Sequence, residues 1–372
     1  MKIKDIVTIP LKFEMEKPIW DAQHYIPSRQ ALLVKVITDE GIVGYGEAAC
    51  FGGPIEITKT VIEKELKPFF IGKDPFDIEY LWDNVFHTTI QHGRSGVIIM
   101  GLSGIDIGIW DVIGKSAGKP LYKVLGGFNN KIEAYASSGF YSEGKGIKEL
   151  CEEAENYLIE GFKTVKIKVG GLLVNEDLKR IKEVRKILGD NYRLAIDANS
   201  NWDVATAKYV CEKIKYFNIR WLEEPVYPYD YEGSAEVKKT SIIPVAGYEQ
   251  EFTRYGFKKL ICADSVSIVQ PDVTWAGGIT ECRKIAAVAQ AFNIPCIPHV
   301  FSSGISLASN LHLIGSIPNG SLLEYDRNYN PLRNTLINEE LLPDKNGFVH
   351  IPDRPGLGIE VNEDIIKKYS IE

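Results

Sequence analysis

The sequence predicts an α/β protein, a (β/α)8-type barrel with an N-terminal α+β capping domain that the C-terminal tail completes. Three observations predict it. The first 55 residues alternate polar and apolar side chains as antiparallel strands do, and residues from about 56 to 125 show the apolar period of helices. From about residue 130, short apolar strands alternate with amphipathic helices, which is the rhythm of a parallel barrel.

The capping domain is predicted over residues 1–128. Its strands are "KIKDIVTIPLKF" and "QALLVKVITDEGIVGYGEA", and the aperiodic "EMEKPIWDAQHYIPSR" between them is predicted to be a long loop. The later segment "GVIIMGLSGIDIGIWDVIGKSAG" contains "GKS", but five residues separate Gly108 from Gly114 where a phosphate-binding loop has four, and no strand precedes it. We expect a packed helix there, whose small residues allow a close approach.

The barrel is predicted over residues 129–342. Its eight strands are expected in "KIEAYASSG", "KTVKIKVGG", "YRLAIDANS", "IRWLEEPV", "IIPVAGYE", "SVSIVQPD", "IPCIPHV" and "SLLEYD". An open doubly wound sheet is the alternative, but "KIEAYASSGFYSEG" lacks the Gly-rich fingerprint that such a sheet carries after its first strand. Residues 343–372 lose the rhythm and are predicted to pack back on the capping domain.

Composition excludes several classes of function. The net charge of -7, from 43 basic and 50 acidic residues, gives no basic surface for nucleic acid. The start of the chain has no apolar run typical of a signal peptide, and no stretch approaches the ~20 apolar residues of a membrane span. The six cysteines are scattered without a CxxC pair, which is typical of reduced core residues. We therefore expect a cytoplasmic protein with no membrane or nucleic-acid partner.

Polar side chains occur at the C-terminal end of nearly every predicted barrel strand. They are Lys166 and Lys168, Asp197 and Asn199, Glu223, Glu249, Asp272, His299 and Glu324. Taken singly, a carboxylate near a strand end is more often a helix cap or a solvated residue, and a lone histidine is often a hydrogen-bonded core residue. Because these strand ends meet at one face of a barrel, the joint pattern predicts one site.

Three of these residues suggest a metal centre. Asp197, Glu223 and Glu249 come from adjacent strands, and three converging carboxylates would repel one another unless a cation lay between them. Oxygen ligands without a nearby cysteine favour Mg²⁺, and Mn²⁺ would be tolerated.

The remaining residues suggest acid–base chemistry. Lys166 and Lys168 lie on one face of a strand, so the charge of Lys166 is expected to lower the pKa of Lys168 toward neutrality. Asp272 can hold one ring nitrogen of His299 and fix its tautomer. Two bases that face a metal-bound carboxylate ligand suit abstraction of the proton on the adjacent carbon.

These motifs closely resemble the enolase superfamily, mandelate racemase subgroup. The resemblance covers nearly the whole chain and rests on "KIK" (166–168), "DAN" (197–199), "LEEP" (222–225), "GYEQ" (247–250), "QPD" (270–272), "PHVF" (298–301) and "LLEYD", with "GIVGYGEA" and residues 101–127 in the capping domain. It implies that Lys168 and the His299–Asp272 pair are the acid/base groups and that Lys166 also reaches the substrate carboxylate. It further implies that Asn199 lies near the substrate and that Glu324 hydrogen-bonds the carboxylate and steadies the enediolate. A homo-oligomer, from dimer to octamer, is also expected.

Other subgroups fit less well. The muconate cycloisomerase, succinylbenzoate synthase and dipeptide epimerase types have a second lysine on strand six, where this chain has Gln270 and Asp272. Galactonate and mannonate dehydratase types place a histidine where this chain has Asn199. The predicted metal ligand Glu249 is flanked by Tyr248 and Gln250 instead of the commoner Gly-Glu pair, a departure that leaves its expected metal role intact.

Two reactions can follow removal of the α-proton. The enediolate can be reprotonated on its other face, which is racemisation or epimerisation of a 2-hydroxy acid, or it can expel a 3-hydroxyl to give a 2-keto-3-deoxy acid. The capping loop offers Asp21, Gln23, His24, Tyr25 and Arg29 as hydrogen-bond partners, more than an apolar acid would use. We expect His24, Tyr25 and Arg29 to bind substrate, and we favour dehydration of an aldonate, for example a pentonate such as arabinonate. A sugar-acid binding protein without activity would be expected to lack a base or a ligand, and none is missing.

Overall fold

The computed structural model describes residues 1–51 and 53–371 and confirms the predicted fold class. The capping domain contains a helical layer and an antiparallel sheet of order β3-β2-β1, which the short strand β5 (Tyr141–Ser142) of the following domain extends beside β1. Its strands and helices are β1 (Ile3–Trp20), β2 (Tyr25–Thr38), β3 (Val43–Ala48), α1 (Ile55–Val61), α2 (Lys67–Phe70), α3 (Ile78–Thr88), α4 (Val97–Ser116) and α5 (Leu121–Val124). A π-helical turn, Ile62–Leu66, joins α1 to α2, and a 3-10 turn, Pro75–Asp77, precedes α3.

Helix α4 forms the core of the capping domain and confirms the predicted packed helix. Glycines on both elements allow it to lie against β3: a Cβ at Gly46 would meet the Gly104 carbonyl oxygen at 2.0 Å, and one at Gly44 would meet the Gly108 carbonyl oxygen at 2.1 Å. We expected no stretch as long and apolar as a membrane span, and this expectation needs correction. By length and composition alone, α4 is long and apolar enough to cross a membrane. Since 89% of its most apolar stretch is buried inside the fold, its hydrophobicity is explained by this packing.

The barrel strands are parallel and lie in the order β10-β9-β8-β7-β6-β4-β11. Its elements, in chain order and including the short pieces β5 and β12, are β4 (Lys131–Ser137), β5 (Tyr141–Ser142), α6 (Ile147–Ile159), β6 (Thr164–Lys168), α7 (Val174–Leu188), β7 (Arg193–Asp197), α8 (Val204–Ile214), β8 (Ile219–Glu223), α9 (Tyr231–Thr240), β9 (Val245–Gly247), α10 (Thr253–Cys262), β10 (Ile268–Val269), α11 (Gly278–Ala291), α12 (Gly304–Ile314), β11 (Leu322–Asp326), α13 (Pro331–Asn334), β12 (Phe348–His350) and α14 (Glu363–Tyr369).

The seventh predicted barrel strand, "IPCIPHV", is reduced to a bridge. Cys296 alone pairs with Val269 on one side and with Gly320 on the other, which closes the barrel between β10 and β11. Pro295 and Pro298 flank it and have no N–H to donate to a neighbouring strand, so a longer ladder cannot form.

The long loop predicted between the first two strands is wrong. Strands β1 and β2 continue through it as a hairpin, and only residues 21–24 form the turn. A register shift between Glu14 and Ile19 interrupts the pairing, and such a bulge breaks the alternation that would reveal a strand in the sequence.

The C-terminal segment contacts both domains. Of residues 343–372, the structure describes 343–371: β12 pairs antiparallel with the barrel strand β4, and α14 lies against β1, where Ile371 N donates to Pro10 O at 3.1 Å. The tail therefore joins the capping domain to the barrel.

Two buried carboxylates of the capping domain also hold it on the barrel by binding the N-terminal ends of barrel helices. Glu47, on β3, accepts hydrogen bonds from Ser303 N (3.3 Å) and Ser306 N (3.1 Å) at the start of α12, and from the hydroxyls of Ser302 and Ser303. Asp106, on α4, accepts from Thr280 N (3.0 Å) at the start of α11. These oxygens satisfy N–H groups at the helix N-termini that have no partner within their own helices.

Candidate active site

A cavity of about 290 Å³ lies between the C-terminal face of the barrel and the capping domain. Barrel strand ends and loops contribute Ser137, Phe140, Lys168, Asn199, Tyr227, Pro228, Glu249, Gln250, Trp275, His299, Phe301 and Glu324, and the capping domain contributes Asp21, Gln23, His24, Ile26 and Phe51. The remaining predicted barrel residues are buried behind this lining: Lys166, Asp197, Glu223 and Asp272. The strand-end residues therefore surround one space.

Two lysines project from β6 into a group of carboxylates. Lys166 is fully buried, and its Nζ lies 2.5 Å from Glu223, 2.7 Å from Glu324 and 3.5 Å from Asp197. Lys168 Nζ donates to Asp197 Oδ2 at 2.6 Å. Both lysines are held by ion pairs at the bottom of the cavity.

The prediction that Lys166 lowers the pKa of Lys168 toward neutrality is wrong for this arrangement. Burial and the Lys166 charge both act to lower the pKa of Lys168, but the Asp197 carboxylate outweighs them and holds it above its ordinary value. Burial acts to raise the pKa of Asp197, and the charges of Lys168 and Lys166 hold it below its ordinary value. Lys168 is therefore a charged ammonium as long as Asp197 pairs with it.

His299 and Asp272 form the predicted pair. His299 Nδ1 lies 2.9 Å from Asp272 Oδ2, and Asp272 is itself fixed by Thr274, whose N and Oγ1 donate to Oδ1 at 2.7 and 2.8 Å. The other ring nitrogen, Nε2, lies 3.3 Å from Glu249. Burial acts to lower the pKa of His299, but the Glu249 charge and the hydrogen bond to Asp272 raise it to about 10. The ring is thus poised as a proton donor, with Nε2 on the cavity side.

The three predicted metal ligands lie at the ends of neighbouring strands. Asp197 on β7 is in register with Glu223 on β8, and Glu249 follows β9. Within residues 1–51 and 53–371, their side chains do not converge into a group that could hold a metal, because each is turned toward a cation of the protein.

The donor set nevertheless fits a hard cation. All three side chains offer carboxylate oxygens, and a fourth oxygen, Asn199 Oδ1, is buried at the cavity and has no hydrogen-bond partner within the described part of the chain. Asn199 is fixed by its own N–H, which donates to Asp197 Oδ1 at 2.9 Å. Mg²⁺ prefers such oxygen ligands and retains room for water or substrate.

Glu324 lines the cavity, and its hydrogen bond to a substrate carboxylate stays a prediction. Its carboxylate pairs with Lys166 and accepts from Val300 N at 3.0 Å. Burial acts to raise the pKa of Glu324, whereas the charges of Lys166 and His299 hold it below its ordinary value. The ion pair with Glu324 holds Lys166 in place.

Of the three capping residues predicted to bind substrate, His24 lies in the cavity. Its Nδ1 lies 3.1 Å from Asp21 Oδ1, and the same oxygen accepts the N–H groups of Gln23 and His24 at 2.8 Å. The hydrogen bond to Asp21 raises the pKa of His24. Tyr25, by contrast, is 66% exposed and faces an outer groove.

Arg29 is also not positioned to bind substrate. Its guanidinium is buried, donates to Asp326 Oδ2 at 2.7 Å and to Phe301 O at 2.8 Å, and lies 3.8 Å above the Phe301 ring. Because its strand continues past the predicted loop, Arg29 points into the domain interface, where it supports the cavity wall.

Sequence reasoning missed the aromatic wall of the cavity. Phe301 stacks on Phe140 with ring centroids 5.4 Å apart, and Lys168 Nζ lies 4.8 Å from the Phe140 centroid. Phe301 could have been found, since it follows His299 by two residues in "PHVF". Trp275 follows Asp272 by three residues, and no comparable pattern marks Phe140.

Glu224, the neighbour of Glu223, points away from the cavity and makes no ion pair among the described residues. Instead it accepts hydrogen bonds from Ser200 and Glu249, beside two of the predicted metal ligands.

Comparison with known proteins identifies the family. Residues 4–126 match the family model of the mandelate racemase / muconate lactonizing enzyme N-terminal domain, and residues 149–365 match the enolase C-terminal domain-like family. The chain is 36% identical to an arabinonate dehydratase of Saccharolobus solfataricus over 99% of both chains.

Solved structures share the whole fold. A 3,6-anhydro-D-galactonate cycloisomerase from Zobellia galactanivorans superposes with a TM-score of 0.90, at 35% identity over 100% of both chains. An L-talarate/galactarate dehydratase variant liganded with Mg and L-glucarate gives a TM-score of 0.89, at 28% identity over 100% of this chain and 92% of that one. These relatives include hydro-lyases of sugar acids. The chain belongs to the enolase superfamily, in the mandelate racemase and muconate lactonizing enzyme family.

Proposed function

We propose that the protein is a Mg²⁺-dependent dehydratase of an aldonate that produces a 2-keto-3-deoxy acid. The observation that carries the proposal is that Lys168 and the His299–Asp272 pair come from different strands and line one cavity next to a set of carboxylate oxygens. This arrangement offers two proton-transfer groups to one bound acid. The similarity to an arabinonate dehydratase supports a sugar acid as the substrate.

Asp197, Glu223 and Glu249 would hold the cation. The cation would supply a Lewis acid that polarises the substrate carboxylate and lowers the free energy of the enediolate. The fully buried Lys166 adds a fixed positive charge beside the same carboxylates. A cation on Asp197 and Glu249 would also compete with Lys168 and His299 for the charges of these carboxylates, which are the charges that raise the pKa of both bases.

The residues can carry the reaction as follows. Lys168 or His299, according to the configuration at C2, removes the proton from the α-carbon, and the electron pair forms the enediolate. The electron pair then moves to form the C2–C3 double bond as the C3–O bond breaks, and the imidazolium of His299 gives its proton to the departing hydroxyl, which leaves as water. Asp272 stabilises that imidazolium throughout. The resulting enol takes up a proton at C3 and loses the proton of its C2 hydroxyl, which gives the 2-keto-3-deoxy acid.

The capping side of the cavity favours a neutral polyol end over a second carboxylate. Asp21, Gln23 and His24 line this side. The lining that the structure describes contains no arginine, and its lysine, Lys168, lies at the barrel end of the cavity. Asp21 carries a charge that would repel another carboxylate. A volume of about 290 Å³ lies at the low end for ligand sites, which suits a short acid such as a pentonate.

A second candidate reaction is ring opening without loss of water. In a 3,6-anhydro acid the oxygen on C3 belongs to a ring, so elimination from the same enediolate breaks that ring instead of releasing water. The similarity to the Zobellia galactanivorans cycloisomerase, at 35% identity over the whole chain, favours this alternative.

A substrate screen tests the proposal. The purified protein with Mg²⁺ is incubated with aldonic, aldaric and 3,6-anhydro sugar acids, and 2-keto-3-deoxy product is measured by its carbonyl chemistry and by mass. Loss of 18 mass units from an aldonate supports dehydration, whereas a product of unchanged mass from an anhydro acid supports the ring-opening reaction. If neither product forms and solvent deuterium enters the α-carbon of a 2-hydroxy acid, the protein is a racemase or epimerase and the proposal is wrong.

A further inference from the structure

We infer that Glu224 is a positioning residue that fixes the three strand-end turns carrying Asp197, Glu223 and Glu249. The inference rests on the cation site of the proposed function and concerns a residue that would not itself touch the cation. Glu224 is fully buried and follows Glu223 directly, but its side chain leaves the cavity side and enters the space between the turns.

The side chain of Glu224 joins two neighbouring turns. Its Oε1 accepts the N–H of Glu249 at 2.9 Å, and its Oε2 accepts from Ser200 Oγ at 3.0 Å and from Gln250 Nε2 at 3.4 Å. The contact to Glu249 acts on the backbone of a predicted ligand. The contact to Ser200 acts on the turn that follows Asp197.

The backbone of Glu224 binds the same turns. Its N–H donates to Ala246 O at 2.9 Å, and its carbonyl accepts from Ser200 N at 2.8 Å. Contacts of this one residue thus connect the ends of β7, β8 and β9.

The local conformation shows that the turns depend on such support. Glu224, Asn199 and Ser200 have φ angles of +42°, +42° and +61°, in the left-handed region that residues with a side chain seldom adopt. Such conformations persist when the surrounding contacts enforce them. Packing is also close, because a Cβ at Gly247 would lie 3.2 Å from Glu224 Cγ.

This arrangement explains why a buried carboxylate without an ion pair occupies the position. Each of its two oxygens accepts a hydrogen bond, Oε1 from Glu249 N and Oε2 from Ser200 Oγ. These donors lie on the turns whose spacing sets the distance between the predicted ligands. Residues that orient metal ligands in this way typically change metal affinity by about 10–100-fold when they are replaced.

Mg²⁺ binding to the full-length protein, measured by titration calorimetry without substrate, tests the inference. Glu224→Leu removes both acceptors and is expected to raise the Kd for Mg²⁺ by about 10–100-fold. Glu224→Gln keeps an acceptor for Glu249 N and a polar partner for Ser200, so its Kd is expected to stay within about threefold of that of the unaltered protein. A loss in Glu224→Gln as large as in Glu224→Leu would show that charge, and not positioning, is the role of Glu224, and would overturn the inference.

Glu281→Leu is the matched control. Glu281 is equally buried and accepts the backbone N–H of Arg254 at 2.7 Å, although it also pairs with the Arg254 guanidinium at 3.0 Å, and it lies outside the cavity lining. The Kd of the Glu281→Leu variant for Mg²⁺ is expected to equal that of the unaltered protein. Circular dichroism checks the fold of each variant. If Glu224→Leu does not fold, Ser200→Ala tests the inference instead. This variant removes one of the contacts to Glu224, so it should weaken Mg²⁺ binding, but by less than the change expected for Glu224→Leu. An unchanged affinity for Mg²⁺ would overturn the inference.

The outcomes separate this inference from the proposed function. If the unaltered protein binds Mg²⁺ and Glu224→Leu does not, while no sugar acid is dehydrated, the proposed reaction fails and the positioning role stands. If Glu224→Leu binds Mg²⁺ as tightly as the unaltered protein, the positioning role fails whatever the substrate. If the unaltered protein binds no Mg²⁺, both fail.

Discussion

Replacing Glu47 with alanine should loosen the attachment of the capping domain to the barrel. Glu47 is fully buried and accepts from two N–H groups at the start of α12 and from two serine hydroxyls. In Glu47→Ala the hydroxyls can turn to other partners, but the two N–H groups of Ser303 and Ser306 remain buried without an acceptor. Each such group costs about 1–3 kcal/mol, so the expected loss is about 2–6 kcal/mol.

That loss can be expressed as a change in melting temperature. An unfolding entropy of about 2.1 cal/mol/K per residue gives about 0.8 kcal/mol/K for 372 residues, so Tm should fall by about 3–8 °C. Differential scanning calorimetry measures it, and Glu47→Gln, which keeps one acceptor oxygen, should show a smaller fall. Glu363→Ala removes an exposed carboxylate and should shift Tm by less than about 1 °C. A Glu47→Ala protein that melts within 1 °C of the unaltered protein would refute the reasoning.

Three further predictions concern titration and catalysis. Burial raises the pKa of Asp106 from 3.8 to about 7, so between these values the unfolded state binds fewer protons than the folded state and stability should fall as pH rises. The Tm of Asp106→Asn, taken relative to the Tm of the unaltered protein, should therefore rise from pH 4 to pH 8. Parallel curves of Tm against pH for the two proteins would contradict this. Lys168→Ala and His299→Asn should each reduce turnover to background while circular dichroism stays unchanged; normal activity in either variant would remove that residue from the mechanism. Treatment with EDTA should stop turnover and added Mg²⁺ should restore it, whereas full activity in EDTA would disprove the cation site.

The positions of the strand-end residues could be predicted from the sequence because two regularities fix them. Side chains alternate along a strand, and parallel strands of a barrel end at one face, so residues such as Asp197 and Glu223 must come close. The pairing of their side chains could not be predicted. Whether Lys168 contacts another ammonium or the Asp197 carboxylate depends on the register of β6 against β7. That register places Lys168 beside Asp197.

The capping residues were predicted less well because the hairpin has no regular pattern where it bends. The bulge between Glu14 and Ile19 removed the alternation, so Arg29 was assigned to a loop and not to a strand that enters the domain interface. The role of Glu224 was hidden for another reason. A left-handed φ is signalled in a sequence by glycine or asparagine, and a glutamate gives no such signal.

The bonds from Glu47 and Asp106 to barrel helices have a consequence for how substrate reaches the cavity. A hinge opening of the whole capping domain would break both helix caps at once, and it would also separate β5 from β1 in the shared sheet. Such an opening is far more costly than a local movement. We therefore expect substrate to pass the turn at residues 21–24, where the outer groove of about 540 Å³ shares Gln23 and His24 with the cavity. The rate of substrate exchange would then be set by that turn, and the two domains would move as one body during turnover.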